Sequence, residues 1–424
     1  MTSIFSSDQI RSQLSVHRMF GMASAAILYL VCLSGTVVVF HNELLRLEQP
    51  EVEETFELPA QYHAKIINEY LQRIAPQREA LPETVYLVMP TQDLPRPHVT
   101  DGIDEWYLDA QGEFLQQPDT PWTEMITGLH THLHLPHVLG SAIIGLTGVL
   151  MTALIFSGVV AHPTIFKDAF RLRRQAADRL QATDWHNRLS VWGLPFHLMI
   201  GITGAFMGIS TVLVGVLAAL YFDNNQEQAI AAVYGDDPVV ESRSGSVDYP
   251  TALANLAQHA PTAEPIYLAL HRPGQTGQLL EIAARLPDRL TYSEIYRFDA
   301  DGQLINHQGL ADGPIGRQLA YSTYRLHFGN FASLQVKVLY AMMGIALSMV
   351  CVYGVNIWLS RKKVQGPLRQ IWQGWVWGLP AVMLLCLILS WLPASWLPLN
   401  LTATFWLLLL LVTAGSALIR RQEH

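Results

Sequence analysis

Charge is scarce in this chain, and the places that lack it are informative. Only 15% of the residues are Asp, Glu, Lys or Arg, against 50% hydrophobic ones. Residues 370–419 carry no charge at all. Cysteine is nearly missing: Cys32, Cys351 and Cys386 all lie in apolar runs. Three such thiols give no disulfide framework, and no Cys-x-x-Cys-His attachment motif occurs. No glycine-rich dinucleotide fingerprint occurs, so no flavin or nicotinamide domain is visible. A formal charge of −8 gives no support for nucleic-acid binding.

What is there is apolar and long. Mean hydropathy is +0.22. Six uncharged stretches, at about 19–42, 138–161, 189–222, 338–360, 371–392 and 401–419, reach the roughly 18–20 residues that span a bilayer. The first is too long for a signal-peptide core and lacks a clear small-residue cleavage site. Pro393, Pro398 and Asn400 mark a turn between the last two. The expected layout is TM1 at 10–42, a first outer domain at 43–128, TM2 at 129–162, a basic cytoplasmic loop at 163–188 and TM3 at 189–222. A second outer domain at 223–325, TM4 at 326–360, TM5 at 371–392 and TM6 at 401–419 follow.

Basic residues set the orientation. Lys167, Arg171, Arg173, Arg174, Arg179 and Arg188 fall in one loop, and Arg361, Lys362, Lys363 and Arg369 in another. Arg11 and Arg18 precede the first span, while Arg420 and Arg421 follow the last. In a six-span arrangement all four groups lie on one side, which the positive-inside rule makes the cytoplasm. Both termini are then cytoplasmic, and the two long loops lie outside. The first of these loops carries 17 acidic residues against five basic ones.

The pattern occurs twice. His17 is followed 18 positions later by Gly35, and His186 by Gly204 at the same distance. His130 precedes Gly158 by 28 positions and His327 precedes Gly354 by 27. Two related halves around a pseudo-two-fold axis would bring equivalent histidines face to face, as the axial positions of a haem iron require. The loops repeat as well. Asp109-Ala110-Gln111-Gly112 parallels Asp299-Ala300-Asp301-Gly302, a hairpin signal. Val85-Tyr86-Leu87-Val88 parallels Ile266-Tyr267-Leu268-Ala269, and a helix-forming stretch precedes each, at 61–75 and 249–259. The predicted fold is a membrane α-helical bundle of six helices, internally duplicated, with two small α+β domains.

Other histidines compete for the same chemistry. His162 ends the second span, and His197 lies 11 residues past His186, roughly 16 Å deeper along a helix. Their counterparts in the other half are Leu359 and Leu28. A polar group at such depth is costly and often functional. His130, His132, His134 and His137 crowd together, and this cluster is also a candidate for a divalent metal. His41 lies at the outer end of the first span. His17 and His41 are 24 residues apart, about 36 Å along a helix, so one haem cannot use both. Arg18, Arg188 and Arg325 stand beside ligand candidates and suit haem propionates. Arg18 and Arg188 also read as positive-inside anchors. His63, His98, His259, His271 and His307 fall in the loops and read as solvated.

The chain resembles the PepSY-associated transmembrane proteins, the family of iron-regulated inner-membrane proteins and ferric-siderophore reductases. Val16-His17-Arg18-Met19-Phe20-Gly21, Gly128-Leu129-His130, Ser157-Gly158-Val159-Val160-Ala161-His162, Asp184-Trp185-His186-Asn187-Arg188, Leu194-Pro195-Phe196-His197-Leu198-Met199 and Leu326-His327-Phe328-Gly329 carry the likeness, over about residues 10–362. The resemblance implies PepSY-like periplasmic domains, an inner-membrane location and haem b. Two haems are expected, on His17 with His186 and on His130 with His327, with His162 or His197 and His134 or His41 as substitutes. The implied activity passes electrons to a ferric siderophore or similar iron chelate and releases Fe(II). The donor would be separate, a quinol or a flavoprotein. No catalytic side chain is assigned. Two alternatives stand beside this reading: a non-redox protein whose outer domains bind a peptide or protease partner, and a metal-transport component with histidine ligands.

Overall fold

A computed structural model describes residues 6–171, 173, 178–234, 245–287, 289–310, 313–392 and 400–418. In chain order, α1 is Ser7–Val38, α2 His41–Glu48 and α3 His63–Ile74. Strands β1 (Thr84–Val88), β2 (His98–Thr100) and β3 (Glu105–Tyr107) follow. Next come α4 (Pro121–His132), α5 (His137–Ala161), α6 (Ile165–Asp168), α7 (Asp178–Trp192), α8 (Leu194–Tyr221), α9 (Gln226–Tyr234) and α10 (Tyr249–His259). Strands β4 (Glu264–His271), β5 (Leu279–Arg285), β6 (Glu294–Phe298) and β7 (Leu304–Gln308) complete the sheet. The last helices are α11 (Ile315–Phe328), α12 (Leu334–Arg361), α13 (Pro367–Ser390) and α14 (Leu401–Ser416). The chain divides into a helical unit, Met1–His41, Pro121–Leu213 and Leu326–His424, and a sheet unit, Asn42–Thr120 and Val214–Arg325.

In the helical unit, α1, α5, α8, α12 and α13 are each long and apolar enough to cross a membrane. Six spans were expected. The sixth apolar stretch forms α14, whose 16 described residues extend about 24 Å, short of a hydrocarbon core of about 30 Å. The stretch at 189–222 is also not one helix. It is interrupted at Gly193, between α7 and α8. Pro195 in the first turn of α8 has no N–H to give to residue 191, which weakens the chain's continuity there. The start of α1 is fixed by a capping box, with Ser6 and Gln9 each bonding the other's backbone N–H.

Small residues let the spans approach closely. A Cβ at Gly148 would lie 2.7 Å from the Ala205 N, bringing α5 against α8, and Gly344 of α12 lies against Thr36 of α1. The C-terminal pair α13–α14 is tied down by aromatic donors. Tyr29 Oη donates to the Val376 carbonyl at 2.7 Å, Trp122 Nε1 to the Met383 carbonyl at 2.8 Å and Trp375 Nε1 to the Ala26 carbonyl at 3.3 Å. In hydrocarbon such bonds satisfy groups that water cannot reach.

The sheet unit has one seven-stranded sheet, ordered β3-β2-β1-β4-β5-β6-β7. The two loop segments, expected as two small domains, are joined edge to edge through β1 and β4. These strands run antiparallel with Leu87 opposite Leu268 and Tyr86 opposite Ala269. The physical reason is the shared interior. Val85 and Leu87 on β1 and Leu268 and Leu270 on β4 bury one face, and Ile66, Tyr70 and Ile74 of α3 and Ala252 and Leu256 of α10 cover it. An edge strand left bare would present unpaired backbone groups, and pairing β1 with β4 removes two such edges at once.

Both expected turns form. Gly112 N–H donates to the Asp109 carbonyl at 3.1 Å, and Gly302 N–H to the Asp299 carbonyl at 3.1 Å. The glycines adopt φ of +73° and +74°, a region open to residues without a Cβ. Each turn also sits close to a helix: a Cβ on Gly112 would meet Ile66 at 2.8 Å, and one on Gly302 would meet Ala252 N at 2.7 Å.

Candidate functional site

Four histidines meet in two pairs inside the helical unit. The rings of His17 and His186 have centroids 6.4 Å apart with planes at 80°. Those of His130 and His327 are 6.1 Å apart with planes at 28°. His17 stands on α1, His186 on α7, His130 on α4 and His327 on α11. All four rings are half-buried.

Each ring is held at Nδ1. His17 Nδ1 donates to the Leu154 carbonyl at 3.0 Å, with Ser157 Oγ at 3.2 Å. His186 Nδ1 donates to the Val350 carbonyl at 3.0 Å, and His130 Nδ1 to the Val31 carbonyl at 3.0 Å. A carbonyl only accepts, so the proton of these three rings lies on Nδ1 and the lone pair on Nε2. His327 Nδ1 contacts Thr203 Oγ1 at 2.9 Å. That hydroxyl already donates to the Met199 carbonyl at 2.7 Å, so it accepts from His327, and the same tautomer follows.

A glycine lies against every ring. A Cβ at Gly158 would meet His17 Cε1 at 3.1 Å, and one at Gly354 would meet His186 Cε1 at 3.4 Å. At Gly35 it would meet His130 Cε1 at 2.5 Å, and at Gly204 His327 Cε1 at 3.1 Å. The sequence attaches Gly35 to His17 and Gly158 to His130 by spacing along the chain. In space they trade places, each glycine admitting the histidine of the other motif. The anchors keep fixed spacing too: His17 and His186, Gly35 and Gly204, and Ser34 and Thr203 are all 169 positions apart. Leu154 and Val350, Gly158 and Gly354, and Gly148 and Gly344 are all 196 apart. The carbonyls of Leu154, Val350 and Val31 and the hydroxyl of Thr203 were not singled out from sequence. A carbonyl acceptor leaves no residue-type signal, although a hydroxyl next to each of Gly35 and Gly204 does.

The chemical capacity follows from the tautomers and the spacing. In each pair two imidazoles with Nε2 free of a proton stand side by side. A metal–nitrogen bond of about 2 Å on each side, plus the nitrogen-to-centre distance of the ring, spans a centroid separation of about 6 Å. The observed 6.4 and 6.1 Å leave room for one metal ion between the rings of each pair. An Nδ1–H held by a backbone carbonyl is the usual support for such a ligand.

The other candidates sit elsewhere. His134 is saturated: Nε2 donates to the Met125 carbonyl at 2.7 Å, and Nδ1 accepts from Trp406 Nε1 at 2.9 Å. It joins α4 to α14. The crowded run is neither one helix nor extended, because α4 stops at His132 and Leu133 and His134 take positive φ. His41 opens α2, with Nδ1 3.4 Å from Thr127 Oγ1. His162 caps α5 beside Thr164, with Nε2 3.7 Å from Asp168. His197 is buried against Gly193, one turn earlier on its own chain, and its Nε2 has no hydrogen-bond partner. Arg18 is exposed. Arg188 donates to the Ala169 carbonyl at 3.2 Å and lies over Trp185 and Trp192. Arg325 is buried and donates to the Arg289 carbonyl within the sheet unit. Among the described residues, no group of three or more His, Cys, Asp or Glu is placed to hold a metal ion.

Apolar spans enclosing facing histidines, with an α+β sheet unit between spans, define a class of membrane helical proteins. The model of the PepSY-associated TM region matches residues 14–361, and the chain belongs to that family. It is also similar to "Uncharacterized protein PA4219" of Pseudomonas aeruginosa, with 27% identity over 287 residues, covering 63% of this chain and 72% of the relative.

Proposed function

We propose that this protein is a haem b reductase of the bacterial inner membrane, passing electrons through two bis-histidine sites to a ferric siderophore or similar chelate. One observation carries the reading: two facing imidazole pairs at iron-spanning distance, every Nδ1 anchored and a glycine under every ring. Haem supplies a one-electron ferric/ferrous couple when bound. The bundle reads as two copies of a helix–loop–helix unit, with α13–α14 added and six spans in all. In this reading the termini are cytoplasmic and the sheet unit is periplasmic.

The side chains have separable tasks. Leu154, Val350, Val31 and Thr203 hold the rings by Nδ1 and keep Nε2 free of a proton. The four glycines set how closely each ring approaches its neighbouring helix. Apolar spans exclude water, so protons do not compete for Nε2. His130 lies against Gly35, 18 residues along α1 from His17, so the two stations are about 27 Å apart along that helix. That separation suits entry near one membrane face and exit near the other, with macrocycle edges shortening the gap. A quinol or a flavoprotein would be the donor. Reduction would release iron because hard oxygen donors hold iron(II) far less tightly than iron(III).

The test has two stages. Purified protein expressed with ample haem should give a reduced-minus-oxidised spectrum of b type with two haems per chain. The reduced protein, mixed with a ferric siderophore and a ferrous-iron trap, should reoxidise as trapped iron appears. A missing Soret band would overturn the haem reading and leave partner binding by the sheet unit as the leading account. A Soret band without reoxidation by any iron chelate would overturn the siderophore assignment alone.

A further inference from the structure

A second histidine site lies in the sheet unit, whereas the four paired histidines lie in the helical unit. Glu294 and Tyr296 alternate on β6 and so share a face, and Tyr296 is the register partner of His307 on β7. The Tyr296 and His307 rings stack, with centroids 4.4 Å apart and planes at 7°. His259, the last residue of α10, completes the cluster. Its ring lies 5.9 Å from that of His307 at 68°, and 6.1 Å from that of Tyr296. His259 is exposed, and the His307 side chain is one-third exposed.

Beneath them is a carboxylate with little access to water. The Glu294 side chain is 3% exposed. It accepts the Leu310 N–H at 3.1 Å on both oxygens and His307 Nε2 at 2.7 Å. A carboxylate only accepts, so His307 carries its proton on Nε2 and its lone pair on Nδ1. The stacked tyrosine stops the ring from turning. His307 is therefore fixed in orientation and tautomer, with an exposed imidazole beside it.

We propose that His259 and His307 form a binding site for a divalent first-row transition-metal ion, with Glu294 as the positioning residue. Imidazole suits zinc, copper, nickel and iron of this class. Metal-bound histidines characteristically donate their second N–H to a carboxylate, and Glu294 occupies that place. Bonds of about 2 Å to two imidazoles set their centres about 5–6 Å apart, depending on the angle at the metal, and the 5.9 Å seen falls in that range. A structural ion pair would need Glu294 and His307 but has no use for His259. Two protein ligands on an open surface leave the remaining positions to water, so the ion exchanges readily. The proposal stands apart from the haem reading and involves none of its residues.

Copper(II) is the probe, with the full chain purified in detergent after expression with ample haem. Equilibrium dialysis measures affinity, and nitrogen hyperfine structure in the copper electron paramagnetic resonance spectrum counts imidazoles. The parent should bind one copper with a two-imidazole pattern. His259→Ala and His307→Ala should each weaken that copper at least tenfold and abolish the pattern. Glu294→Gln should weaken it about 10- to 100-fold while keeping two nitrogens. Because His259 is exposed at a helix end, His259→Ala decides the matter even if His307→Ala fails to fold. Parent-like affinity and hyperfine pattern in His259→Ala would overturn the proposal.

Discussion

The His17–His186 rings cross at 80°, whereas the His130–His327 rings lie within 28° of parallel. The frames around them are alike: a glycine under each ring and an acceptor at each Nδ1. The acceptors differ. The crossed pair is held by two carbonyls at corresponding positions, Leu154 and Val350. The near-parallel pair is held by a carbonyl, Val31, on one side and a hydroxyl, Thr203, on the other. Two pairs in similar frames thus differ both in ring orientation and in the acceptors that hold them.

The largest test of that comparison removes one member of each pair. His17→Ala and His327→Ala should each lose about half of the haem absorbance, and the double variant nearly all of it. The haem left in each single variant should differ in low-spin electron paramagnetic resonance. The crossed pair should give the more axial spectrum and the near-parallel pair the more rhombic one, because ligand planes set the splitting of the iron d orbitals. Identical spectra would erase the distinction.

A smaller and graded effect comes from the glycines. Gly35→Ala places a methyl 2.5 Å from the His130 ring, whereas Gly354→Ala places it 3.4 Å from that of His186. Haem retention should fall markedly in the first and stay near that of the parent in the second, with Gly158→Ala and Gly204→Ala between. Equal losses at Gly35 and Gly354 would show that the approach of helix to ring does not set occupancy.

Next comes the brace found on one side only. Trp406 donates to His134, and the position corresponding to His134 in the other half is Phe331. Trp406→Phe leaves His134 Nδ1 without its donor, at about 1–3 kcal/mol. The thermal midpoint should drop, and the His17–His186 spectrum should not change.

The smallest effect contrasts the two loop segments. His63 at the start of α3 touches Tyr249 at the start of α10, with ring centroids 5.9 Å apart. Burial pushes the His63 imidazole below its ordinary value, opposed by its bond to the Leu58 carbonyl. A folded state that resists this proton loses stability as the pH falls through the ordinary histidine range near 6.5, where the unfolded chain takes the proton up. Tyr249 does not titrate there. His63→Gln should therefore flatten the decline in thermal midpoint between about pH 7.5 and 5.5. An unchanged slope would assign the decline to other groups.

Much of this was legible because spacing carries it. The 18-residue interval from histidine to glycine, the Asp-Ala-x-Gly turns and the helix at 249–259 are local patterns, and each has its counterpart in the structure. What could not be read was non-local. Nothing along the chain says that Gly35 serves His130 and not His17, because helix packing decides it. The tie from His134 was hidden for the same reason: its partner, Trp406, lies 272 residues away. The strand pairing of β1 with β4 was hidden because each segment has its own turn and helix and reads as self-sufficient.

That pairing also has a consequence for biogenesis. Leu87 and Leu268 stand opposite each other but are 181 residues apart in sequence. As the chain emerges from the ribosome, β1 must wait through the synthesis of α4, α5, α7 and α8 before its partner exists. Contacts this distant close late and slowly. For that interval the nascent protein exposes an open strand edge beside an apolar face, the state in which chains join their neighbours in error. Assembly of the sheet is thus coupled to the delivery of two later spans, α5 and α8, and a protein stopped after α5 would be left with a sticky half-sheet.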